Sequence, residues 1–301
     1  MKIAVTGATG FIGSALVSRL RSRKDSVRVI TRDPAKATFE LGQEVDWVLP
    51  SADPQALVGG VDAIVNLAGE PIFGKRWTEK QKERIRASRV EGTRRLVAAL
   101  RVLPEAGRPK VLVSGSAVGY YGPRGDQELL EDAPAGSDFL AEVCRDWEAA
   151  AAEAQTLGVR VVMVRTGIVL GPGGGALAQM LPVFKLFAGG PIASGRQYMS
   201  WIHRSDLVSM ILHAIATPAF SGPMNGTAPN PVTNKEFAKK LGKVLKRPAF
   251  VPTPRLALKV AFGGSADILA TGQRVLPRKA TEAWFSFAFP ELEPALRDCV
   301  K

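Results

Sequence analysis

A glycine-rich loop that follows an apolar strand at the start of the chain constrains the fold more than any other feature. Residues 2–6 are apolar or β-branched apart from Lys2, three glycines follow at intervals of three, and a helical pattern begins at once. The first glycine permits a turn with positive φ, the second admits a pyrophosphate close to backbone N–H groups, and the third lets helix and strand pack closely. The candidate residues for this dinucleotide site are Gly7, Thr9, Gly10, Phe11, Ile12 and Gly13.

Strand and helix patterns alternate through the first half of the chain. Apolar runs rich in β-branched residues lie at residues 2–5, 27–31, 63–67, 110–114 and 159–165. Helical periodicity lies between them at residues 12–23, 78–100 and 137–157. Such alternation predicts an α/β protein with a Rossmann-type doubly wound parallel sheet.

The second half of the chain has a different sequence pattern, with glycine-rich loops, proline-rich turns and shorter helices. We predict helices at residues 177–187, 206–216 and 234–245. We therefore expect a Rossmann domain over residues 1–170, with its sheet completed by part of 200–228, and a smaller C-terminal α/β substrate lobe over 171–301.

Composition narrows the environment and the partners. The two cysteines, Cys144 and Cys299, give no disulfide framework, and His203 and His213 give no metal-ligand cluster, so we expect a cytoplasmic protein without a metal. No apolar run reaches the ~18 residues of a membrane helix, and we expect no membrane association. The net charge of +12 is spread over helical segments, which favours a solvated basic surface over a nucleic-acid site. A monomer and a homodimer both stay open.

The end of the second strand indicates which dinucleotide is bound. NAD-selective sites place an acidic residue there to bind the ribose 2′-OH. Here that position is Thr31, and Arg32 follows it with a guanidinium suited to a 2′-phosphate. Asp33 precedes a proline and is expected to cap a helix. The pattern favours NADP(H) over NAD.

Further motifs spread along the chain carry a family resemblance. They are Asn66-Leu67-Ala68-Gly69-Glu70-Pro71, Lys75-Arg76-Trp77, Ser88-Arg89, Ser114-Gly115-Ser116-Ala117-Val118-Gly119-Tyr120-Tyr121-Gly122, Arg165-Thr166-Gly167, Gly189-Gly190-Pro191-Ile192, Trp201-Ile202-His203 and Gly272-Gln273-Arg274-Val275-Leu276-Pro277. With them the chain resembles atypical extended short-chain dehydrogenases, namely epimerase-family proteins with a C-terminal segment of unknown function.

The resemblance implies an NADP(H) cofactor and a set of contacts to it. Leu67, Ala68 and Gly69 would end the fourth strand beside the nicotinamide ribose and phosphates. Glu83 and Arg89 would approach the site from the following helix, although a spacing of six does not put them on one helical face. Val169, in the loop after the strand that ends at Arg165, would reach the nicotinamide end. The resemblance does not identify the substrate.

The usual catalytic pair of short-chain dehydrogenases, Tyr-x-x-x-Lys, is absent from the sequence. The superfamily's register puts its two positions on Leu140 and Cys144, neither of which can replace the pair. Ser116 stands where the superfamily's serine would lie, at the end of the fifth strand, and we expect it to hold the substrate oxygen.

The missing pair leaves both the proton donor and the function class open. The candidate donors are Tyr120, Tyr121 and Cys144; for Cys144 we favour a small buried residue. His203 and Ser205 are expected to lie too close in sequence to converge in a Ser-His-Asp site. An NADP(H)-dependent oxidoreductase or epimerase acting on a small carbonyl or alcohol fits the sequence, and so does a non-catalytic NADP(H)-binding sensor or scaffold.

Overall fold

The structure is a computed structural model that describes residues 1–43, 45–254, 268 and 270–301. Its strands are β1 (Lys2–Thr6), β2 (Ser26–Ile30), β3 (Asp46–Val48), β4 (Ala63–Asn66), β5 (Val111–Ala117), β6 (Glu128–Leu129), β7 (Arg160–Thr166), β8 (Ile168–Leu170), β9 (Tyr198–Met199), β10 (Trp201–His203), β11 (Gly222–Gly226), β12 (Val232–Thr233) and β13 (Arg274–Val275). Its helices are α1 (Phe11–Ser22), α2 (Pro34–Leu41), α3 (Pro54–Val58), α4 (Glu79–Val102), α5 (Phe139–Ala152), α6 (Gly175–Lys185), α7 (Arg204–Ala216), α8 (Asn234–Leu245), α9 (Arg278–Glu282) and α10 (Leu292–Cys299).

The central sheet has seven strands in the order β11-β7-β5-β4-β1-β2-β3. Every pairing in it is parallel. The strand order reverses between β1 and β4, and in doubly wound sheets a ligand crevice opens at the carboxyl ends of the two strands at such a switch point. The predicted Rossmann-type sheet is confirmed.

Alternate residues of the central strands face opposite helical layers. In β1, Ile3 and Val5 pack in one apolar cluster with α1 and α7, whereas Ala4 packs in another with α3 and α4. All three side chains are fully buried. Because helices cover both faces of the sheet, its inner strands are continuous apolar runs in the sequence, which is why they were predictable.

A third apolar cluster lies beyond the sheet, in the C-terminal part of the chain. Helices α6, α8 and α10 pack there around the fully buried Trp201 of β10. The chain returns from this cluster to the sheet, because α7 covers one face and β11 pairs with β7 at the edge. Residues 200–228 therefore contribute to the Rossmann sheet as well as to the second lobe.

Three local features differ from the sequence expectations. Strand β3 was not predicted, because it is a short edge strand with exposed side chains and carries no apolar signal. The helix expected over 137–157 ends at Ala152 and continues as a 3₁₀ turn, Glu153–Leu157. Placing Val169 in a loop was wrong: it lies in β8 and pairs with Ile202 of β10, because the segment after Thr166 forms a second short parallel pair.

Candidate functional site

The glycine loop closes tightly on the neighbouring strand and helix. Gly7 has φ of +68°, and a Cβ there would lie 2.7 Å from the Leu67 carbonyl carbon. A Cβ on Gly13 would overlap the Gly7 carbonyl oxygen. Gly10 is exposed and has extended backbone angles, and its N–H donates to the Gly7 carbonyl over 2.9 Å. Packing thus requires glycine at positions 7 and 13, whereas Gly10 is exposed to solvent.

Helix α1 begins at this loop with an uncapped N-terminus. No side chain in the described structure caps it, and its first intrahelical hydrogen bond runs from the Ser14 N–H to the Gly10 carbonyl over 2.9 Å. The N–H groups of Phe11, Ile12 and Gly13 precede that bond and have no intrahelical acceptor. They form the positive end of the helix dipole, which is suited to bind an anion. The loop therefore fits a dinucleotide pyrophosphate.

The Phe11 side chain holds the second lobe against the loop. A Cβ on Gly174 would lie 2.5 Å from its ring, and one on Gly175 would lie 2.7 Å from it. The Arg204 guanidinium lies over the same ring, 4.5 Å from its centroid. The glycines at 174 and 175 are thus explained by the close approach of Phe11, whose backbone N–H remains part of the anion site.

The carboxyl ends of β1 and β4 meet beside the loop. The Thr6 hydroxyl donates to Asn66 Oδ1 over 2.7 Å and accepts from the Ala68 N–H over 3.1 Å. These bonds fix residues 67–69 next to Gly7. They place the backbone of Leu67, Ala68 and Gly69 at the switch point of the sheet.

Arg89 and Glu83 have different surroundings on α4. The Arg89 guanidinium donates to the Glu70 carbonyl over 3.0 Å, and its Cζ would lie 3.0 Å from a Cβ on Gly69. Burial lowers the pKa of Arg89. Glu83 is exposed and lies about 9 Å along the helix axis from Arg89. The structure therefore brings Arg89 to the end of β4 and leaves Glu83 on the helix surface.

The end of β2 opens into a cavity of about 540 Å³. Arg32 and Arg95, a residue of α4, both line this cavity. Asp33 caps α2 by accepting the Lys36 N–H over 3.0 Å, as predicted. The Thr31 hydroxyl accepts the Asp33 N–H over 3.1 Å. Thr31 has no carboxylate for a ribose diol, and the Asp33 carboxylate is engaged as the cap of α2.

A buried polar network lies under the end of β5. The Ser116 hydroxyl donates to Glu148 Oε1 over 2.6 Å. Arg165 makes a bidentate pair with the same carboxylate, with both bonds at 2.8 Å. Each of these three residues is at least 92% buried. Sequence reasoning identified Ser116 but missed Glu148, which provides its hydrogen-bond acceptor.

The two candidate tyrosines have different environments. Tyr121 is fully buried, donates to Asn225 Oδ1 over 2.6 Å and accepts from Arg165 over 3.0 Å. Burial raises the pKa of Tyr121 to about 12, although the Arg165 charge opposes the shift. Tyr120 is half-buried, and the Arg165 guanidinium carbon lies 3.4 Å from its ring centroid. Of the two phenols, Tyr120 is the one with solvent access.

The positions of the usual catalytic pair are occupied by apolar packing. Cys144 is buried, and burial raises the pKa of its thiol to about 12. Its interpretation as a small buried residue is confirmed. Leu140 packs against the backbone near Gly119, where an added Cβ would lie 3.4 Å from the leucine Cβ.

The expectation that His203 and Ser205 lie too close in sequence for their side chains to converge was wrong. The His203 Nδ1 lies 2.6 Å from the Ser205 hydroxyl, because His203 is the N-cap residue of α7 and Ser205 stands in the first turn of that helix. Its ring also packs 4.1 Å from that of Phe289, and Nε2 lies 3.5 Å from Asp298. Burial lowers the pKa of His203. The arrangement ties α7 to the C-terminal segment.

A second cavity, of about 570 Å³, opens between the loop after β5 and the second lobe. Sequence reasoning did not assign it. Its lining includes Pro123, Asp126, Ser194, Arg196, Tyr198 and Gly272. In the described residues no group of three or more His, Cys, Asp or Glu side chains is arranged to hold a metal ion. No helix there has the length and hydropathy that a membrane span requires.

Two protein-family models match this chain. The model of the NAD dependent epimerase/dehydratase family matches residues 3–225, and that of a domain of unknown function, DUF1731, matches residues 253–299. The chain belongs to the NAD dependent epimerase/dehydratase family. The resemblance to epimerase-family proteins with a C-terminal segment of unknown function is therefore confirmed.

Relatives of similar length are named as epimerase family proteins. The SDR39U1 homolog of Arabidopsis thaliana, named as chloroplastic, is 45% identical over 307 residues, covering 99% of this chain and 86% of its own. YfhF of Bacillus subtilis is 38% identical over 301 residues, covering 100% of this chain and 98% of its own. A crystal structure of human epimerase family protein SDR39U1 with NADPH is 38% identical, with a TM-score of 0.88, covering 99% of this chain and 98% of that one.

Proposed function

We propose that this protein binds NADP(H), with the pyrophosphate at the N-terminus of α1 and the 2′-phosphate at Arg32. The observation that carries the proposal is the uncapped start of α1 at an exposed Gly10, in the same crevice as the ends of β1 and β4. The 38% identical human protein that was crystallised with NADPH supports it. Arg89 and the backbone of residues 67–69 and 169 would contact the nicotinamide half, and Glu83 would contribute from the surface of α4.

We propose further that the protein is an NADP(H)-dependent oxidoreductase or epimerase acting on a small carbonyl or alcohol. The cofactor supplies hydride transfer when bound. The second cavity, beside the loop that carries the tyrosines, is the proposed substrate site, and its Arg196 and Tyr198 offer polar contacts.

Tyr120 is the proposed proton donor. Tyr120 is half-buried rather than fully buried, and the Arg165 guanidinium lies over its ring. Ser116 and Tyr121 are given no role in proton transfer or in holding the substrate oxygen, because their hydroxyls are buried and donate to Glu148 and Asn225.

One observation favours the non-catalytic alternative. The hydroxyls of Ser116 and Tyr121 are both buried and bonded to protein acceptors, and the usual positions of the catalytic pair are Leu140 and Cys144. An NADP(H)-binding sensor or scaffold would need no exposed acid at this site. The catalytic function therefore requires the Tyr120 hydroxyl, and the non-catalytic function does not.

The remaining properties are proposed on simpler grounds. A cytoplasmic location is supported by two free, buried cysteines, although the name of one relative places that protein in chloroplasts. A small-molecule substrate and a monomer or homodimer agree with the cavity and the chain length. We propose no nucleic-acid partner, because the basic residues are spread over the chain.

Exchange of Tyr120 for Phe tests the catalytic proposal. In a screen of small carbonyls for NADPH oxidation, we expect Tyr120→Phe to lower kcat by about 100- to 10,000-fold, because it removes the proton donor. NADPH affinity should stay within about threefold. Tyr121→Phe is the matched control, and it should chiefly reduce the free energy of unfolding by about 1–3 kcal/mol, since it leaves buried partners unsatisfied.

The pH profile adds a second readout. A basic limb in the rate that disappears in Tyr120→Phe and persists in Tyr121→Phe supports the assignment. Full activity of Tyr120→Phe would refute the proton-donor role. Absence of turnover across the whole screen, with NADPH still bound, would establish the non-catalytic alternative.

A further inference from the structure

The cavity at the end of β2 contains two arginines that come from distant parts of the sequence. Arg32 follows β2, and Arg95 lies in the second half of α4. Both line the same cavity of about 540 Å³, together with Leu49, Pro50 and Ser51 from the loop after β3. Only Arg32 was identifiable from the sequence, because its position after the second strand is diagnostic and that of Arg95 is not.

Among the described residues, neither of these two cations has an acidic partner. Within the part of the chain that the structure describes, Arg32 and Arg95 make no ion pair or side-chain hydrogen bond, and both are exposed. The neighbouring Arg94 differs, because it pairs with Glu91 over 2.8 Å. Asp33, the acid beside Arg32 in sequence, is engaged as the cap of α2. Two like charges thus converge on a cavity without an acidic partner, an arrangement that a dianion would stabilise.

We infer that Arg95 is the second arm of a clamp for the 2′-phosphate of the bound dinucleotide. The inference rests on the proposed NADP(H) function and extends it to a residue from α4. Arginine suits this role, since its planar guanidinium makes two hydrogen bonds to a phosphate. A 2′-hydroxyl, as in NAD, would leave both cations uncompensated.

Two other residues of the loop after β3 complete the subsite. The Ser51 hydroxyl is a hydrogen-bond donor to the same phosphate. Leu49 keeps 42% of its surface exposed and offers an apolar face for the adenine ring. The volume falls in the range of small-molecule sites. The ligand class of this cavity is therefore a 2′-phosphorylated adenosine.

The test uses fragments that carry only this end of the cofactor. Isothermal titration would measure the binding of adenosine 2′,5′-bisphosphate, adenosine 5′-monophosphate, NADPH and NADH to the full chain, Arg32→Ala, Arg95→Ala and the double variant. Arg94→Ala is the matched control, because it removes an exposed cation from the adjacent position of the same helix. A thermal melt of each variant checks folding.

Arg95→Ala should weaken NADPH and adenosine 2′,5′-bisphosphate by about 10- to 100-fold, the loss expected for a charge-assisted contact. NADH and adenosine 5′-monophosphate should change less than about twofold, and Arg94→Ala should leave all four ligands within that limit. If the full chain binds NADPH tightly and Arg95→Ala leaves that affinity unchanged, the role of Arg95 is refuted but the NADP(H) function is not. An equal loss of affinity for NADPH and NADH would refute the same role. Failure of the full chain to bind NADPH would overturn the proposed function itself.

Discussion

Gly10→Val is expected to abolish NADPH binding while leaving the protein folded. Gly10 is exposed, and its φ of −79° and ψ of 170° are accessible to any residue. An added Cβ would meet only the Gly7 carbonyl oxygen, at 3.1 Å. The isopropyl group would therefore require that carbonyl to shift by a few tenths of an ångström, and it would stand beside the free N–H groups that begin α1, in the path of the pyrophosphate.

The expected loss in NADPH affinity is at least about 100-fold, since several charge-assisted hydrogen bonds are blocked together. Isothermal titration measures it, and circular dichroism confirms the fold. Gly92→Ala is the control, because a Cβ there has nothing within 4 Å; it should leave affinity unchanged and add up to about 1 kcal/mol of helix stability. NADPH affinity within about threefold of the unaltered protein in Gly10→Val would refute the assigned phosphate site.

Glu148→Ala is expected to cause the largest loss of stability, about 3–5 kcal/mol in the free energy of unfolding. The change leaves the Arg165 guanidinium, only 3% exposed, without its counter-charge. Burial opposes the charged form of Arg165, whereas its bonds to the Glu148 carboxylate raise the pKa of the guanidinium, so removal of Glu148 leaves a buried cation without that stabilisation. Ser116 loses its acceptor in the same change.

Denaturant unfolding with a matched control measures this effect. Asp146 lies on the same helix, α5, and pairs with Arg86 at the surface. Asp146→Ala should cost less than about 1 kcal/mol, because exposed ion pairs contribute little. A double variant, Glu148→Leu with Arg165→Met, should recover much of the loss by removing both charges. Equal costs for Glu148→Ala and Asp146→Ala would show that the buried pair does not stabilise the fold.

The features that sequence reasoning predicted are those encoded locally. The loop from Gly7 to Gly13 requires glycine at fixed spacing because of contacts within a few residues, and the apolar strands on either side place it in a Rossmann sheet. Asp33 was predictable as a cap because the proline after it favours a helix start. Helix α8 was predicted over residues 234–245, with Thr233 or Asn234 as its cap, and the cap is Thr233, which forms a capping box with Glu236.

The features that escaped prediction depend on contacts between distant segments. Arg95 is one of several cations on α4, and nothing in the sequence distinguishes it from solvated neighbours until the end of β2 faces it. Glu148 and Arg165 come from α5 and β7, and their pairing requires the packing of helix on sheet. His203 and Ser205 converge because a helix begins between them, a local geometry that spacing along the chain does not reveal.

Equilibrium titration of the unaltered protein with NADPH and with NADH tests the central claim most directly. We expect saturable binding of NADPH at one site per chain, tighter than NADH by at least about tenfold, since a 2′-phosphate adds charge-assisted contacts that a hydroxyl cannot make. Absence of saturable NADPH binding, or affinity for NADH equal to or above that for NADPH, would contradict the account.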